Sequence, residues 1–218
     1  MKRWSNVYNL EEEPSVANQF TTELRDKEIQ INRLRFRNNL KRLGECMAFE
    51  ISKSLNYFQT EVQTPLGLKK VWSIQDEIVL ATVFRAGLPM YQGFLNFFDN
   101  ADSAFVGAYR NEGSDNISIQ TDYVVSPNLN NKVLIMIDPM LATGSSLADA
   151  LDSLIGQSGT PERIIIASAV SAPEGIDFLL NKYTEISVYT AAVDEGLNES
   201  FYIVPGLGDA GDLSFGNK

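Results

Sequence analysis

Apolar residues recur at intervals of three and four along one early stretch, Leu40, Leu43, Met47, Ile51 and Leu55. That spacing places them on one face and predicts helix from about Glu23 onward. Before it, residues 1–22 show little periodicity, and Glu11-Glu12-Glu13-Pro14 reads as an exposed arm. After it, segments 61–63 and 70–74 flank Pro65-Leu66-Gly67, the pattern of a β-hairpin.

Beyond Gln75 the pattern changes to short, nearly continuous apolar runs at 78–84, 104–109, 133–137, 164–170 and 186–190. Helical spacing follows several of them, around 87–98, 145–156 and 174–182. This alternation predicts an α/β fold with a central, mostly parallel sheet covered by helices on both faces. Ligands of such sheets sit beyond the carboxyl ends of the strands, so the residues just after each strand are where chemistry is sought. The expected organisation is an N-terminal arm, 1–22, and a single domain, 23–218. Within it, the polar stretch 111–131, rich in Asn, Ser and Asp, reads as a flap over the site.

Composition narrows the chemistry mainly by what is absent. The 218 residues include no histidine and one cysteine, Cys46. Catalytic triads built on histidine, histidine-ligated zinc, intrachain disulfides and cysteine metal clusters are thereby excluded. Cys46 lies among Met47, Ala48 and Phe49 and reads as core filling. The formal charge of −10 opposes nucleic-acid binding. The cluster of Arg33, Arg35, Arg37, Lys41 and Arg42 is accordingly read as a solvated helix face or a subunit contact, in preference to an RNA-binding patch. No apolar run reaches the roughly 18 residues of a membrane span, and none follows the basic start Met1-Lys2-Arg3 as in a signal peptide. A cytoplasmic protein working with carboxylates, arginines, hydroxyls and backbone amides is expected.

The most informative segment is the apolar run 133–137 followed by Asp138-Pro-Met-Leu-Ala-Thr-Gly-Ser-Ser146, with a helix expected from about Leu147. Loop amides and hydroxyls at a helix N-terminus suit a phosphate monoester, and an acid at the strand end suits ribose hydroxyls. An ordinary strand-turn-helix with a Ser/Thr cap is the plain alternative. As a whole, the string resembles the signature Asp-Pro-Met-Leu-Ala-Thr-Gly-Gly-Ser of uracil phosphoribosyltransferases, which binds phosphoribosyl pyrophosphate (PRPP). Ser145 stands where that family has its second glycine. If the position needs φ > 0, Ser145 is expected to carry a modest penalty.

A second segment, Tyr202-Ile-Val-Pro-Gly-Leu-Gly-Asp-Ala-Gly-Asp212, spells G-x-G-x-x-G at Gly206, Gly208 and Gly211. Only seven residues follow Gly211, too few for a dinucleotide fold. A tight glycine turn holding Asp209 is the better reading, and the string resembles the same family's uracil-recognising end. By that resemblance Ile203, Gly208, Asp209 and Ala210 contact uracil, residues 201–218 form the uracil-binding segment, and Asp209 also reaches PRPP. The ending departs at Leu213, where the family has a basic residue.

Val83-Phe84-Arg85-Ala86-Gly87-Leu88 and Tyr109-Arg110 resemble two further family motifs, each placing an arginine after a strand. Guanidinium forks bind phosphate oxygens bidentately and stay charged, so Arg85 and Arg110 are assigned to pyrophosphate. Residues 138–146, comprising Asp138, Pro139, Met140, Leu141, Ala142, Thr143, Gly144, Ser145 and Ser146, are assigned to the rest of PRPP. Asp138, Arg85, Arg110 and Asp209 form the expected catalytic set. Asn111 and Val125 depart from the family at the flap.

The resemblance runs from about residue 33 to the end and implies a type I phosphoribosyltransferase-like fold. It implies transfer of ribose 5-phosphate from PRPP to uracil, giving UMP and pyrophosphate in pyrimidine salvage. It also implies Mg²⁺ travelling with pyrophosphate, no metal ligand from the protein, and a homodimer or higher homo-oligomer, for which the Leu40–Leu55 helix could supply an interface. No residue identifies itself as a general base for uracil N1. The competing reading is a PRPP- or nucleotide-binding regulator without turnover, suggested by Ser145, Asn111, Val125 and Leu213. A transferase acting on another pyrimidine or a purine is a third.

Overall fold

The computed structural model describes residues 3–110 and 119–217, giving the backbone alone at 108–110 and 119–122. The chain opens with strand β1 (Val7–Asn9), a 3-10 turn over Leu10–Glu12, and helices α1 (Val16–Arg25) and α2 (Arg33–Ser52). A hairpin follows, β2 (Tyr57–Thr64) and β3 (Gly67–Ile74), then β4 (Ile78–Phe84), α3 (Leu88–Leu95), β5 (Asp102–Arg110) and β6 (Ile119–Val125). The second half contains β7 (Val133–Ile137), β8 (Met140–Leu141), α4 (Ser145–Ser158), β9 (Arg163–Ser171), α5 (Pro173–Lys182) and β10 (Ile186–Val193). Two short strands, β11 (Gly196–Leu197) and β12 (Ile203–Val204), and helix α6 (Ala210–Phe215) complete it.

The main sheet has the order β1-β10-β9-β7-β4-β5-β6, with β8 extending β9. Every pairing in it is parallel except β5–β6. The β4–β5 register ends at Phe84↔Gly107, while β5 runs on to Arg110 paired with Ile119 of β6. The β5–β6 pair therefore projects about 10 Å beyond the carboxyl edge of β4, at roughly 3.3 Å per residue.

Alternation along β7 shows why its apolar run is continuous. Val133, Ile135 and Ile137 pack toward α1, α2 and α3 with Leu24, Leu40, Met47 and Phe94. Leu134 and Met136 pack toward α4 and α5 with Leu147, Leu151, Ile176 and Leu179. Both faces are covered, so both sets must be apolar.

The structure changes several expectations. Part of segment 1–22 belongs to the folded body: Val7–Asn9 joins the sheet beside β10, and α1 begins at Val16, capped by Ser15. Glu11 to Pro14 are exposed, as an arm would be. The Leu40–Leu55 stripe is buried within the chain's own core. The basic cluster on α2 is mostly engaged internally. Arg35 pairs with Glu23 of α1 at 2.7 Å, Arg37 donates to Ser214 O at 2.6 Å, and Arg42 donates to Asn39 Oδ1 at 3.0 Å. Cys46 packs against the core, where burial raises its thiol pKa.

Candidate active site

The sheet order brings the strand-end residues to one edge. β7, β4 and β5 are adjacent and parallel, so Asp138 and Arg85 follow two neighbouring carboxyl ends and Arg110 closes a third. Thr82 Oγ1 donates to Ile137 O at 2.9 Å and ties the ends of β4 and β7 together. Asn111 lies outside the described residues, and Val125 closes β6 opposite Phe105.

After β7 the chain is pinned before it turns. Pro139 O accepts from Ala169 N at 3.1 Å and Val170 N at 3.0 Å, and β8 pairs with β9. Pro139, Leu141 and Gly144 are buried, so only their backbone can face a ligand, whereas Ser145 is exposed. Gly144 is the N-cap of α4, with φ of 80° and no side-chain cap. A Cβ there would lie 3.0 Å from Gly175 O and from the Phe178 ring, so conformation and space both require glycine. Ser145 is already helical, and the penalty expected of it does not arise, because the left-handed residue is its neighbour. Glycine occupies the capping position of this 14-residue helix, so the ordinary Ser/Thr N-cap does not form there; Thr143 Oγ1 accepts from Ser145 N at 3.3 Å, and the remaining first-turn amides are left for an acceptor. Thr143 Oγ1 and Ser145 Oγ lie 2.8 Å apart at this mouth.

Asp138 sits at the base of the loop. Its oxygens keep some solvent contact, yet the packed strand end desolvates the carboxyl and pushes its pKa up to about 7. Among the described residues its carboxyl accepts one hydrogen bond, a long one from Met140 N at 3.4 Å. The remaining lone pairs are available to a ligand's hydroxyls or to water.

The C-terminal segment forms the other wall. β11 and β12 pair as a small hairpin, the Val204–Pro205 peptide is cis, and the chain turns through Gly206 and Gly208 with φ of 62° and 91°. Ile203 and Ala210 are buried, so only their backbone groups can meet a base, while Gly208 and Asp209 are exposed. Asp209 Oδ1 caps α6 by accepting from Gly211 N at 2.8 Å and Asp212 N at 3.0 Å. Arg85 Nη2 donates to Gly216 O at 3.3 Å, and a Cβ at Gly211 would lie 3.9 Å from Ala86 Cβ. The Arg85 turn thus meets α6, the helix that follows the glycine turn, although 131 positions separate Arg85 from Gly216. Leu213, where a basic residue was expected, packs against the core.

Two supporting groups lie in strings that resemble the family but carry no role assigned from sequence. Glu174 Oε1 accepts from Leu197 N at 3.2 Å and holds β11. Asp194 follows β10 at the same sheet edge as Asp138, a signal that could have marked it, and accepts from Gly206 N at 2.7 Å. Among the described residues no three Asp, Glu or Cys side chains converge as a metal site, and no helix is long and apolar enough to cross a membrane. A separate depression of about 450 Å³, lined by Asn56, Asp76, Glu77 and Glu162 among others, lies at the opposite ends of the strands.

With this geometry in place, comparison with known proteins is direct. The model of the family described as uracil phosphoribosyltransferase matches residues 11–217. The chain is 46% identical to a uracil phosphoribosyltransferase of Porphyromonas gingivalis over 214 residues, 97% of this chain and 99% of that one. It is 36% identical to a uracil phosphoribosyltransferase of Pyrococcus furiosus over 218 residues, covering 99% and 92%. A solved structure of a protein from Aquifex aeolicus superposes with a TM-score of 0.85 at 31% identity, covering 96% and 98%. A purine phosphoribosyltransferase from Pyrococcus horikoshii, at 13% identity and a TM-score of 0.50 over 72% and 84% of the chains, shares the fold. The phosphate-type loop, the strand-end arginine and the glycine turn therefore stand in a chain that belongs to the uracil phosphoribosyltransferase family.

Proposed function

We propose that the chain transfers the 5-phosphoribosyl group of PRPP to uracil, releasing pyrophosphate and forming UMP. The observation that carries this reading is the meeting of Arg85 with α6, the helix that follows the glycine turn, beside the acid-led loop at the end of β7. One cleft edge then offers donors for pyrophosphate, a cradle for a phosphate monoester and a backbone surface for a nucleobase.

In the reaction the bond from C1 of the ribose to pyrophosphate breaks, the bond from C1 to uracil N1 forms, and the N1 proton passes to the released pyrophosphate or to water. The transition state gathers positive charge on the sugar and negative charge on the leaving group. Arg85 and Arg110 take the pyrophosphate; as permanent cations they gain most when that charge develops. The α4 amides with Thr143, Ser145 and Ser146 take the 5′-phosphate, and ionised Asp138 accepts from the ribose hydroxyls. Ile203, Gly208, Asp209 and Ala210 offer main-chain donors and acceptors to uracil's two carbonyls and N–H. Holding both reactants in line supplies the rest of the acceleration.

Mg²⁺ suits this arrangement as a companion of the substrate. It is a hard cation that retains water and prefers phosphate oxygens, and the lone acid at the loop base fits a hydroxyl or a metal-bound water better than a bare metal. When bound it would offset pyrophosphate charge. Homo-oligomers go with the reading too. The hairpin β2–β3 forms its own two-stranded sheet and exposes Phe58, Leu68 and Trp72, and such hairpins are marginal without a partner. A cytoplasmic location follows from a substrate too charged to cross a bilayer unaided.

The deciding experiment incubates the protein with PRPP, Mg²⁺ and radiolabelled uracil and follows UMP, with Arg85→Ala as control. UMP formation that is lost in Arg85→Ala supports the reading. PRPP binding without UMP would favour a regulator, and turnover of a purine base with uracil ignored would favour another transferase. The helical conformation of Ser145 removes one feature that had suggested a regulator.

A further inference from the structure

Backbone groups that read a base have no side chains of their own to aim them, so their direction is set by whatever holds the turn. Here the holding groups come from a region to which the sequence motifs assign no role. Arg25, the last residue of α1, lies along Asp194, with Nη1 donating to Oδ2 at 2.8 Å and Nη2 to Oδ1 at 2.5 Å. Its Nη1 also donates to Gly206 O at 2.9 Å, and Gly206 N donates to Asp194 Oδ2 at 2.7 Å. One ion pair thus secures both main-chain groups of Gly206, and the Asp194 side chain is only 4% exposed. Gln30, in the amide orientation that satisfies its neighbours, donates to Leu207 O at 2.8 Å and Leu24 O at 3.0 Å. A Cβ at Gly206 would run into Ile203 O, so the turn folds tightly against β12.

These contacts occupy Gly206 and the Leu207 carbonyl from the α1 side. Gly208 and Asp209 remain exposed at the front. A turn fixed beforehand loses little freedom when the base arrives, which favours affinity. We infer that Arg25, acting through Asp194 and Gly206, is a positioning residue that aims the main chain of 207–210 at the nucleobase. The inference rests on the assignment of 203–210 to uracil. It gives the N-terminal segment a part in base recognition and ties α1 to a turn 181 positions away.

The test is steady-state kinetics on the full chain with uracil and PRPP varied separately, for Arg25→Met, Arg25→Lys and Gly208→Ala, alongside thermal melting. Arg25→Met is expected to raise KM for uracil roughly tenfold or more, with KM for PRPP within about twofold of the parent. Arg25→Lys, which keeps the charge but loses the fork, should fall between the two. A folded Arg25→Met protein with uracil KM within about twofold of the parent overturns the inference. So does an apparent kcat that falls with the folded fraction while both KM values stay at the parent's, which would mark Arg25 as a stabiliser alone. Should Arg25→Met not fold, the same split in Arg25→Lys decides. A raised uracil KM in Gly208→Ala without one in the Arg25 variants removes only this inference. An unchanged uracil KM in all three removes the uracil assignment as well.

Discussion

Arg85 Nη2 stands 3.5 Å from Asp212 Oδ1, so the arginine assigned to pyrophosphate rests against the segment assigned to uracil. Both side chains are more than a third exposed, which makes the pair weak and readily exchanged for a stronger anion. Arg85→Ala should weaken PRPP binding and lower kcat/KM by roughly a hundredfold, since it removes a fixed donor to the leaving group. Asp212→Asn should do the reverse for binding and tighten PRPP by a few-fold, about twofold to fivefold, because a competitor for Arg85 is gone. Isothermal titration with PRPP and Mg²⁺ reads both, and unchanged affinity in Arg85→Ala would count against the pyrophosphate assignment.

Asp138 sets a pH dependence. Its pKa is raised by burial from 3.8 to about 7, so the folded state holds a proton that the unfolded chain releases. Stability is therefore expected to fall as pH rises from about 4 to 7, with no further contribution above that window. Asp138→Asn should flatten this slope in urea titrations and be more stable than the parent at pH 8. Binding runs the other way: if the carboxylate accepts from ribose hydroxyls, PRPP affinity rises as pH passes 7. The difference between parent and Asp138→Asn separates this from the substrate's own phosphate titration.

Glu23 should contribute in the opposite sense. Hydrogen bonds from Arg35 and then Asn39 lower its pKa from 4.5 to about 2. Its stabilisation is present above pH 4.5 and is lost as pH falls toward 2. Glu23→Gln should cost roughly 1–2 kcal/mol at pH 7, the smaller figure following from Arg35 being half exposed. The variant should also lose the steepest part of the acid limb in a melting series, and an unaltered acid limb would show that α1 and α2 are held together without this cluster.

Gly144 and Ser145 separate conformation from chemistry at the phosphate loop. Gly144→Ala forces a side chain into φ of 80° and into Gly175 and Phe178, and should cost at least about 1 kcal/mol. Ser145→Gly restores the residue common in the family, but in a helical conformation it should lower stability by roughly 0.5–1 kcal/mol. A rise in melting temperature for Ser145→Gly would mean that the loop takes up another backbone conformation.

The sheet and the loops at its carboxyl edge are legible in the sequence alone. The apolar runs 78–84 and 133–137 coincide with β4 and β7 because strands covered on both faces must be apolar throughout, which leaves a mark in consecutive residues. Asp138, Arg85 and the glycine turn were legible for a related reason: each lies in a short contiguous string whose local geometry depends on its own residues. Tertiary structure alone decided what lies far apart in the chain. It placed Val7–Asn9 beside β10, turned the Leu40–Leu55 stripe inward, committed Arg35 and Arg37 to internal partners, and set Arg25 against Asp194. Helical periodicity shows that a face is apolar without showing what covers it, and a charge in a sequence looks the same whether it meets water or a carboxylate 169 positions away. Only packing brings such partners together, because their energy depends on the distance and desolvation that the complete fold creates.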